Sequence, residues 1–431
     1  MKAAFLCARR LALYCIVLSL NSAMALAQET HSDPVSQTTP GSLHDLVGEA
    51  QTNNPEIRAA EHGWKAASRA GKSAAALPDT QVSVQSFSVG SPRPFAGFSN
   101  SSFAYIGLGA SQEIPYPGKR KLRSLVSERE ADSLRGQHES IRRQVVEDLK
   151  SAYFQLSYLQ QTLAVLQRHD KLLGDIEQIA ESHYRVGQGS QQDVLKSQLQ
   201  HTRILQEIAM HHRDAGQLQA RLKQLLGRPQ DSPDIVTEPL HLRLLSRTSS
   251  DLLRQVQEQN PRVQSRVAMV GRMDAQVDLA RKNFRPDFTV QYMFERTGSS
   301  FPAYYMANLS INLPNRGRRR AELEQASEER EQAHEELAAE MQRQQAEIQG
   351  QYIVAQASAE QLKIYKEGLI PQSDSTFRAA LAAYQSNKQD FGGLLSSFLD
   401  LLRLDLDYQR ELATHESALA RLESLTGVTL Q

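Results

Sequence analysis

The chain has 431 residues, contains 49 basic and 49 acidic side chains, and has a mean hydropathy of −0.48. This length is sufficient for two or three ordinary domains, and the balanced charge argues against a nucleic-acid-binding protein. After residue 27 no stretch approaches the ~18 apolar residues that a membrane-spanning helix needs, so an α-helical membrane protein is not expected.

Residues 1–27 are predicted to be a secretory signal peptide. Basic residues at the start are followed by the apolar segment Leu11–Leu20 and by a small-residue cleavage site at Ala25–Ala27. Cys7 and Cys15, the two cysteines of the chain, both lie in this segment. The exported chain is therefore expected to have no disulfide, no thiolate-bound metal and no amino-terminal lipid anchor.

Two halves of the sequence repeat the same landmarks. IPYPGKRK at 114–121 has the counterpart LPNRGRRR at 313–320, and seven such landmarks recur in the same order at offsets of 199–208 residues. Chance similarity between helical segments would not preserve this order, so we predict an internal duplication. The predicted boundaries are the signal peptide 1–27, a linker 28–42, a first repeat 43–227, a linker 228–248, a second repeat 249–427 and a tail 428–431.

Each predicted repeat opens with two helices. The first helix is expected to begin after a serine cap, Ser42 or Ser250. The second helix begins at Asn-Pro, with Asn54 or Asn260 as the cap and proline at the first helical position, where a missing N–H group costs nothing.

Two strands follow in each repeat. In the second repeat, apolar and polar residues alternate over 288–295 and again over 305–313. The first repeat has a weaker version of the pattern, with Val82 and Val84 in one strand and 106–110 in the next. A period of two with one apolar and one polar face predicts sheet that is wetted on one side.

A very long helix is predicted at Lys119–Arg185. No proline occurs between Gly118 and Arg228, and apolar residues from Val145 onward are spaced alternately by four and three, which is typical of a coiled-coil seam. These 67 residues correspond to about 100 Å of helix. The sequence VGQGS at 186–190 breaks the helix, and a return helix is predicted at Gln191–Leu226.

Four amphipathic strands are too few to close a membrane barrel within one chain. Transmembrane barrels need about eight strands or more, and an open sheet in lipid would leave unsatisfied backbone groups at its edges. If the strands enter a membrane, several chains must share one barrel, with two chains giving eight strands and three giving twelve. Helices attached to such a barrel would also form a ring.

Several motifs resemble the TolC family of outer-membrane efflux channels. The resemblance covers about residues 43–427 and rests on EIPYPGKRKLR, the paired Asn-Pro entries, YRVGQGSQQDVL and the repeated layout. The motif EIPYPGKR is similar to the corresponding sequence in the heavy-metal branch of the family, the cobalt–zinc–cadmium outer-membrane components. The resemblance implies a mainly α fold with a small β part: a homotrimer with a twelve-stranded barrel in the outer membrane that continues into an α-helical coiled-coil barrel in the periplasm.

The same resemblance implies a passive exit duct and no enzymatic activity. The duct would work with a periplasmic adaptor protein and an inner-membrane pump of the resistance-nodulation-division type, and it would export divalent heavy-metal cations. No cofactor, catalytic residue or metal site is expected, because no histidine and carboxylate set has ligand spacing. Two alternatives stay open: an outer-membrane duct for type I protein secretion or drug efflux, and a soluble periplasmic coiled-coil adaptor or scaffold.

The tips of the two helical hairpins are the predicted docking positions for the adaptor. The resemblance carries this role to Tyr184, Val186, Gly187, Ser190, Asp193 and Leu195 in the first tip, and to Tyr384, Asn387, Asp390, Leu394 and Leu395 in the second. Some family members narrow the closed end with two aspartates, but Gly393 and Ser396 occupy those positions here. Asp390 is the nearest possible substitute, and the gating residues stay open.

Two further features are given roles from the sequence. The strand-to-helix turns are predicted at Pro115, Gly118 and Lys119 and at Pro314, Gly317 and Arg318, with each proline ending strand pairing and each glycine permitting a sharp turn. The basic runs 119–121 and 318–320 are hypothesised to meet anionic groups at the inner surface of the outer membrane. Pro371 is expected to kink a long helix, either as a flexing point or as a static bend.

Aromatic residues flank the predicted strand tips and favour an interfacial belt over simple loop packing. They are Phe95, Phe98, Phe103, Phe301, Tyr304 and Tyr305.

Overall fold

A computed structural model describes residues 39–430 except 41, 99–100, 102 and 298–302. The predicted signal peptide and Phe301 lie outside the described residues. The described part is mainly helical, with one four-stranded sheet and one short two-stranded pairing. Across these residues, no helix has both the length and the hydropathy required to span a membrane.

Apart from two short strands that lie in the predicted linkers, helices and strands follow the order that the sequence predicts. The strands are β1 Thr39–Pro40, β2 Gln81–Phe87, β3 Tyr105–Ile114, β4 Ile235–Val236, β5 Asp287–Thr297 and β6 Tyr304–Asn312. The helices are α1 Leu43–Asn53, α2 Pro55–Ala75, α3 Lys119–Arg185, α4 Gln191–Leu226, α5 Ser249–Gln259, α6 Pro261–Lys282, α7 Arg316–Ile364, α8 Ile370–Gln385 and α9 Phe391–Thr426, with a π-helical turn at Tyr365–Leu369 between α7 and α8.

The four-stranded sheet has the order β2-β3-β5-β6, and all of its pairs are antiparallel. Leu108 of β3 lies opposite Val84 on one side and Phe294 on the other, so apolar residues of neighbouring strands share one face. Val82 and Val84 on this face are 70% and 71% exposed. Within the described residues, β2 and β6 each have one edge without a neighbouring strand.

The long helix α3 is the centre of the helical part. It packs against α2, α4, α6 and α9, and its predicted seam is buried at Val145, Leu149, Leu156 and Leu166. Its length is the predicted 67 residues. Burial of this apolar seam by the neighbouring helices explains why so long a helix is stable.

The two Asn-Pro motifs cap helices and also tie distant segments together. Asn54 Oδ1 accepts hydrogen bonds from the backbone N–H groups of Glu56 and Ile57. Its Nδ2 donates to the buried carbonyl of Leu225, 2.9 Å away at the end of α4. Asn260 repeats the arrangement and donates to the Leu425 carbonyl at 3.0 Å. Each motif therefore fixes the start of a helix against the end of a return helix.

Two predicted local roles are wrong. Thr248 rather than Ser250 caps α5, because its hydroxyl accepts from the Asp251 N–H group. Gly317 lies inside α7 with ordinary helical geometry, since Asn315 caps that helix. Gly118 does make the predicted sharp turn, with a φ of 92° that favours glycine.

The order of elements is the same in the two halves: two short helices, two strands and a long helical hairpin. The origin of the halves by duplication stays a prediction, as does the assembly of several chains into one barrel.

Candidate functional site at the hairpin tips

The first tip joins α3 to α4 through five residues with defined backbone geometry. Val186 closes α3, and Gly187 follows with a φ of 74°. Gln188 donates its N–H group to the His183 carbonyl at 2.8 Å. Ser190 then caps α4 in a capping box, in which the Ser190 and Asp193 side chains each accept the other residue's backbone N–H group. The tip is therefore a rigid turn whose polar groups are largely satisfied locally.

The second tip joins α8 to α9 in a similar way. Asn387 takes the left-handed position, with a φ of 55° that asparagine tolerates better than most residues. Lys388 donates its N–H group to the Ala383 carbonyl at 2.8 Å. Asp390 caps α9 and accepts from the Gly393 N–H group at 3.4 Å.

The two tips lie side by side. Asn387 Nδ2 donates to Gln188 Oε1 at 3.0 Å, which joins residues 199 positions apart in the sequence. Residues of both turns line one open depression, among them Gly187, Ser190 and Asp390. The tips thus form one composite surface at the end of the helical part.

An aromatic cluster supports this surface from below. Tyr384 is 5% exposed and packs on His183 and Phe391, with ring centroids 5.0 and 5.7 Å away. Burial raises the pKa of Tyr384, and the nearby Asp193 carboxylate raises it further. Its buried hydroxyl has no hydrogen-bond partner among the described residues. Leu394 is completely buried in the same cluster.

The predicted docking residues therefore fall into two groups. Tyr384 and Leu394 are core residues that hold the tips together, and Leu395 is half-buried. Exposed side chains at this end include Tyr184, Val186, Asn387 and Leu195. Only the exposed group is available to a partner without rearrangement.

Sequence reasoning missed Leu199 and Gln188. Leu199 is exposed one helical turn after Leu195, so the two leucines form an apolar pair on the surface of α4. The i, i+4 spacing of leucines near the tip was the available signal. No sequence signal marked Gln188, because its partner Asn387 lies in the other hairpin.

The strand-to-helix turn of the first half is a buried ionic junction. Lys119 is 1% exposed, and its Nζ donates to both oxygens of Asp287 and to the Arg285 carbonyl, each at 2.9 Å. The Tyr116 N–H group also donates to Asp287 Oδ1, at 2.7 Å. The hypothesis that Lys119 meets anionic groups outside the protein is therefore wrong, because its charge is already neutralised inside the fold.

The matching turn of the second half is exposed. Arg318 and Arg319 both pair with Glu322, and Arg320 pairs with Glu324 one turn along α7. Pro115 and Pro314 follow the ends of β3 and β6, and their role as strand terminators stays a prediction.

A comparison with known protein families identifies the chain. Residues 46–228 and 252–389 match the family model described as Outer membrane efflux protein. The chain belongs to the outer membrane efflux protein family. It is an efflux channel of the outer membrane that extends into the periplasm, and it is a transport protein rather than an enzyme.

Solved outer-membrane channels share the fold of this efflux channel. The channel OprN superposes with a TM-score of 0.78 at 17% identity, covering 90% of this chain and 91% of that chain. CusC superposes with a TM-score of 0.77 at 16% identity, covering 90% of this chain and 92% of that chain. VceC from Vibrio cholerae superposes with a TM-score of 0.76 at 17% identity, covering 90% of this chain and 97% of that chain. No curated protein sequence matches the chain.

Other positions of the efflux channel bear on how it opens. Gly393 is half-buried and Ser396 is exposed, whereas the Asp390 carboxylate is engaged as a helix cap. Pro371 follows the π-helical turn, in which the Ile370 N–H group donates to the Tyr365 carbonyl. A π turn before Pro371 accommodates the hydrogen bond that is missing because proline has no N–H group. Such turns are a recognised cause of helix bending.

Within the residues described, no group of three or more His, Cys, Asp or Glu side chains could hold a metal ion.

Proposed function

We propose that this efflux channel is the outer-membrane duct of a tripartite efflux system. Three copies would pool their strands into a twelve-stranded barrel, and their hairpins would form a helical barrel across the periplasm. Solutes would leave passively through the water-filled interior, with energy supplied by an inner-membrane pump of the resistance-nodulation-division type through a periplasmic adaptor.

The observation that carries this proposal is the four-stranded sheet with two open edges and one exposed apolar face. An isolated sheet of this kind in water would leave Val82, Val84, Leu309 and Ile311 exposed, and its edges would invite pairing with other strands. In a shared barrel the edges pair and the apolar face meets lipid. Aromatic residues near the strand ends, such as Phe103 and Tyr305, support an interfacial belt.

The hairpin tips are the proposed docking surface for the adaptor. The contact would use exposed residues of both tips and of α4, namely Tyr184, Val186, Leu195, Leu199 and Asn387. Apolar side chains in an exposed, rigid setting favour a protein partner, because their burial removes apolar surface from water without ordering a flexible loop. The buried Tyr384 and Leu394 would fix the relative position of the two tips.

The docking proposal is tested with Val186→Asp and Leu195→Asp. We expect both variants to be exported and assembled normally but to lose complex formation with the adaptor and to abolish efflux, because a charge in an apolar contact is costly to desolvate. Leu244→Asp is the matched control, since Leu244 is 72% exposed and lies in the segment between α4 and α5. Normal efflux with both tip variants would contradict the proposal.

Divalent heavy-metal cations are the proposed cargo. The support is the similarity of EIPYPGKRK at 113–121 to the heavy-metal branch of the family. Deletion of the gene in its own host should lower resistance to zinc, cobalt or cadmium and leave drug resistance unchanged. Loss of drug resistance or of protein secretion alone would replace heavy metals with the corresponding alternative cargo.

A further inference from the structure

Each outer edge of the sheet repeats one half of the ionic junction between β3 and β5. In the junction, Lys119 follows β3 and binds Asp287 at the start of β5. The counterpart of Lys119 is Arg318, 199 residues later, at the corresponding position after β6. The counterpart of Asp287 is Asp79, 208 residues earlier, just before β2. Thus one outer edge presents the cation and the other presents the carboxylate.

We infer that β6 of one copy pairs antiparallel with β2 of the next copy, and that Arg318 binds Asp79 of the partner subunit as Lys119 binds Asp287 within a chain. This inference rests on the proposed ring of identical chains and adds its register and its ionic lock. Within one chain, Ile114 lies opposite Phe288. The residue 199 positions after Ile114 is Leu313, and the residue 208 positions before Phe288 is Thr80, so the same pairing places Leu313 opposite Thr80 of the partner subunit. The same register places Leu309 opposite Val84 of the partner subunit.

The side-chain pattern of the two edge strands supports this register. All seven residues of β2 then lie opposite residues 306–312 of β6. The exposed Val82 and Val84 meet Ile311 and Leu309, so the apolar face continues across the junction. A slip of one residue would place these valines opposite polar residues, because side chains alternate between faces.

A slip of two residues keeps the faces matched but breaks the ionic pair. It moves Arg318 about 6–7 Å along the strand direction relative to Asp79 of the partner subunit. Arg318 is at present 73% exposed and bonded to Glu322, an exposed contact of the kind that contributes little to stability. A guanidinium group can also bind a carboxylate through two parallel hydrogen bonds. The ion pair therefore selects one register among those that match apolar faces.

Cross-strand cysteine pairs test the register directly. Directly opposed residues of antiparallel strands have Cα atoms about 4.5 or 5.5 Å apart, within the range of a disulfide. The chain after residue 27 contains no cysteine, so no native cysteine there can form a disulfide with the introduced pairs. We expect Val84→Cys with Leu309→Cys, and Gln85→Cys with Asn308→Cys, to yield covalent trimers after oxidation in membranes.

Two further cysteine pairs serve as controls. Val84→Cys with Leu108→Cys joins residues that are opposite within one chain, so oxidation should form a bond without raising the mass. Val82→Cys with Leu309→Cys represents the two-residue slip and should give little covalent trimer. Stronger cross-linking of this slip pair than of Val84→Cys with Leu309→Cys would overturn the inferred register.

Charge reversal tests the ionic lock. We expect Arg318→Asp and Asp79→Arg each to reduce the trimer that survives a fixed heat step by about tenfold, equivalent to about 1.4 kcal/mol. The double variant should recover most of the loss, because the pair is restored with the charges exchanged. If the double variant loses as much heat-resistant trimer as the two single losses combined, the ionic lock is refuted.

The outcomes separate this inference from the proposed function. If the unmodified chain forms no trimer in membranes or detergent, the proposed function fails and the inference fails with it. If the unmodified chain is trimeric but the predicted pairs do not cross-link while the within-chain pair does, only the inferred junction is refuted.

Discussion

Replacing Asn54 with alanine should destabilise the fold far more than loss of an ordinary helix cap. Asn54 Oδ1 caps α2 through two N–H groups, and loss of such a cap costs about 0.5–2 kcal/mol. The Nδ2 group also satisfies the buried carbonyl of Leu225, and leaving a buried acceptor without a donor costs about 1–3 kcal/mol. We therefore expect Asn54→Ala to lower the free energy of unfolding by about 1.5–5 kcal/mol.

Two matched variants separate these contributions. Asn54→Asp retains the capping oxygen but places a carboxylate oxygen against the buried Leu225 carbonyl, so it should cost at least the second contribution, about 1–3 kcal/mol. Ser42→Ala removes an exposed cap at the start of α1 and should cost about 1 kcal/mol.

The only tryptophan of the chain provides the assay. Trp64 lies in α2, ten residues after Asn54, and stacks on His138 of α3 with ring centroids 5.9 Å apart. Its fluorescence during guanidinium unfolding in detergent reports separation of α2 from α3, and circular dichroism follows helix loss in parallel. If Asn54→Ala and Ser42→Ala prove equally destabilising, the bond to the Leu225 carbonyl contributes nothing and the reasoning is refuted.

Three further predictions concern charge, pH and helix geometry. Lys119→Met should destabilise the chain by about 3–5 kcal/mol, because it leaves the Asp287 carboxylate without its buried partner, and Lys119→Met with Asp287→Asn should recover part of the loss in the same unfolding assay. Burial raises the pKa of Glu139, but hydrogen bonds and charge from two neighbouring arginines outweigh it and lower the pKa below 4.5. The unchanged protein should therefore have a higher free energy of unfolding than Glu139→Gln above about pH 4.5, and this difference should disappear as the pH falls further. Unfolding midpoints of both proteins measured from pH 3 to pH 7 would test this. Pro371→Ala should reduce efflux while trimers still form if the π turn flexes during opening, whereas unchanged efflux would indicate a static bend.

Much of the helical architecture could be predicted because its signals are local. The ends of α3 and α4 agree with the prediction to the residue, since the glycines and the serine cap of the first tip act on their immediate neighbours. The Asn-Pro starts of α2 and α6 are likewise as predicted. Even the errors at Ser250 and Gly317 are small displacements within correctly located turns, where a neighbouring residue supplied the cap.

Burial at the candidate site depended on neighbours that the sequence does not specify. Tyr184 and Tyr384 occupy matching places in the two hairpins, yet the first is 48% exposed and the second 5% exposed, because only Tyr384 faces the other tip. Lys119 and Arg318 likewise occupy one motif but differ completely in environment.

The sequence by itself therefore determined the order of helices and strands in each half, the bounds of α3 and α4, and which residues sit at the tips. Only the tertiary structure decided which copy of each motif is covered. The physical reason is that periodicity and capping act within a few residues, whereas burial is set by segments more than a hundred residues away that pack against one half of the chain and leave the other half open.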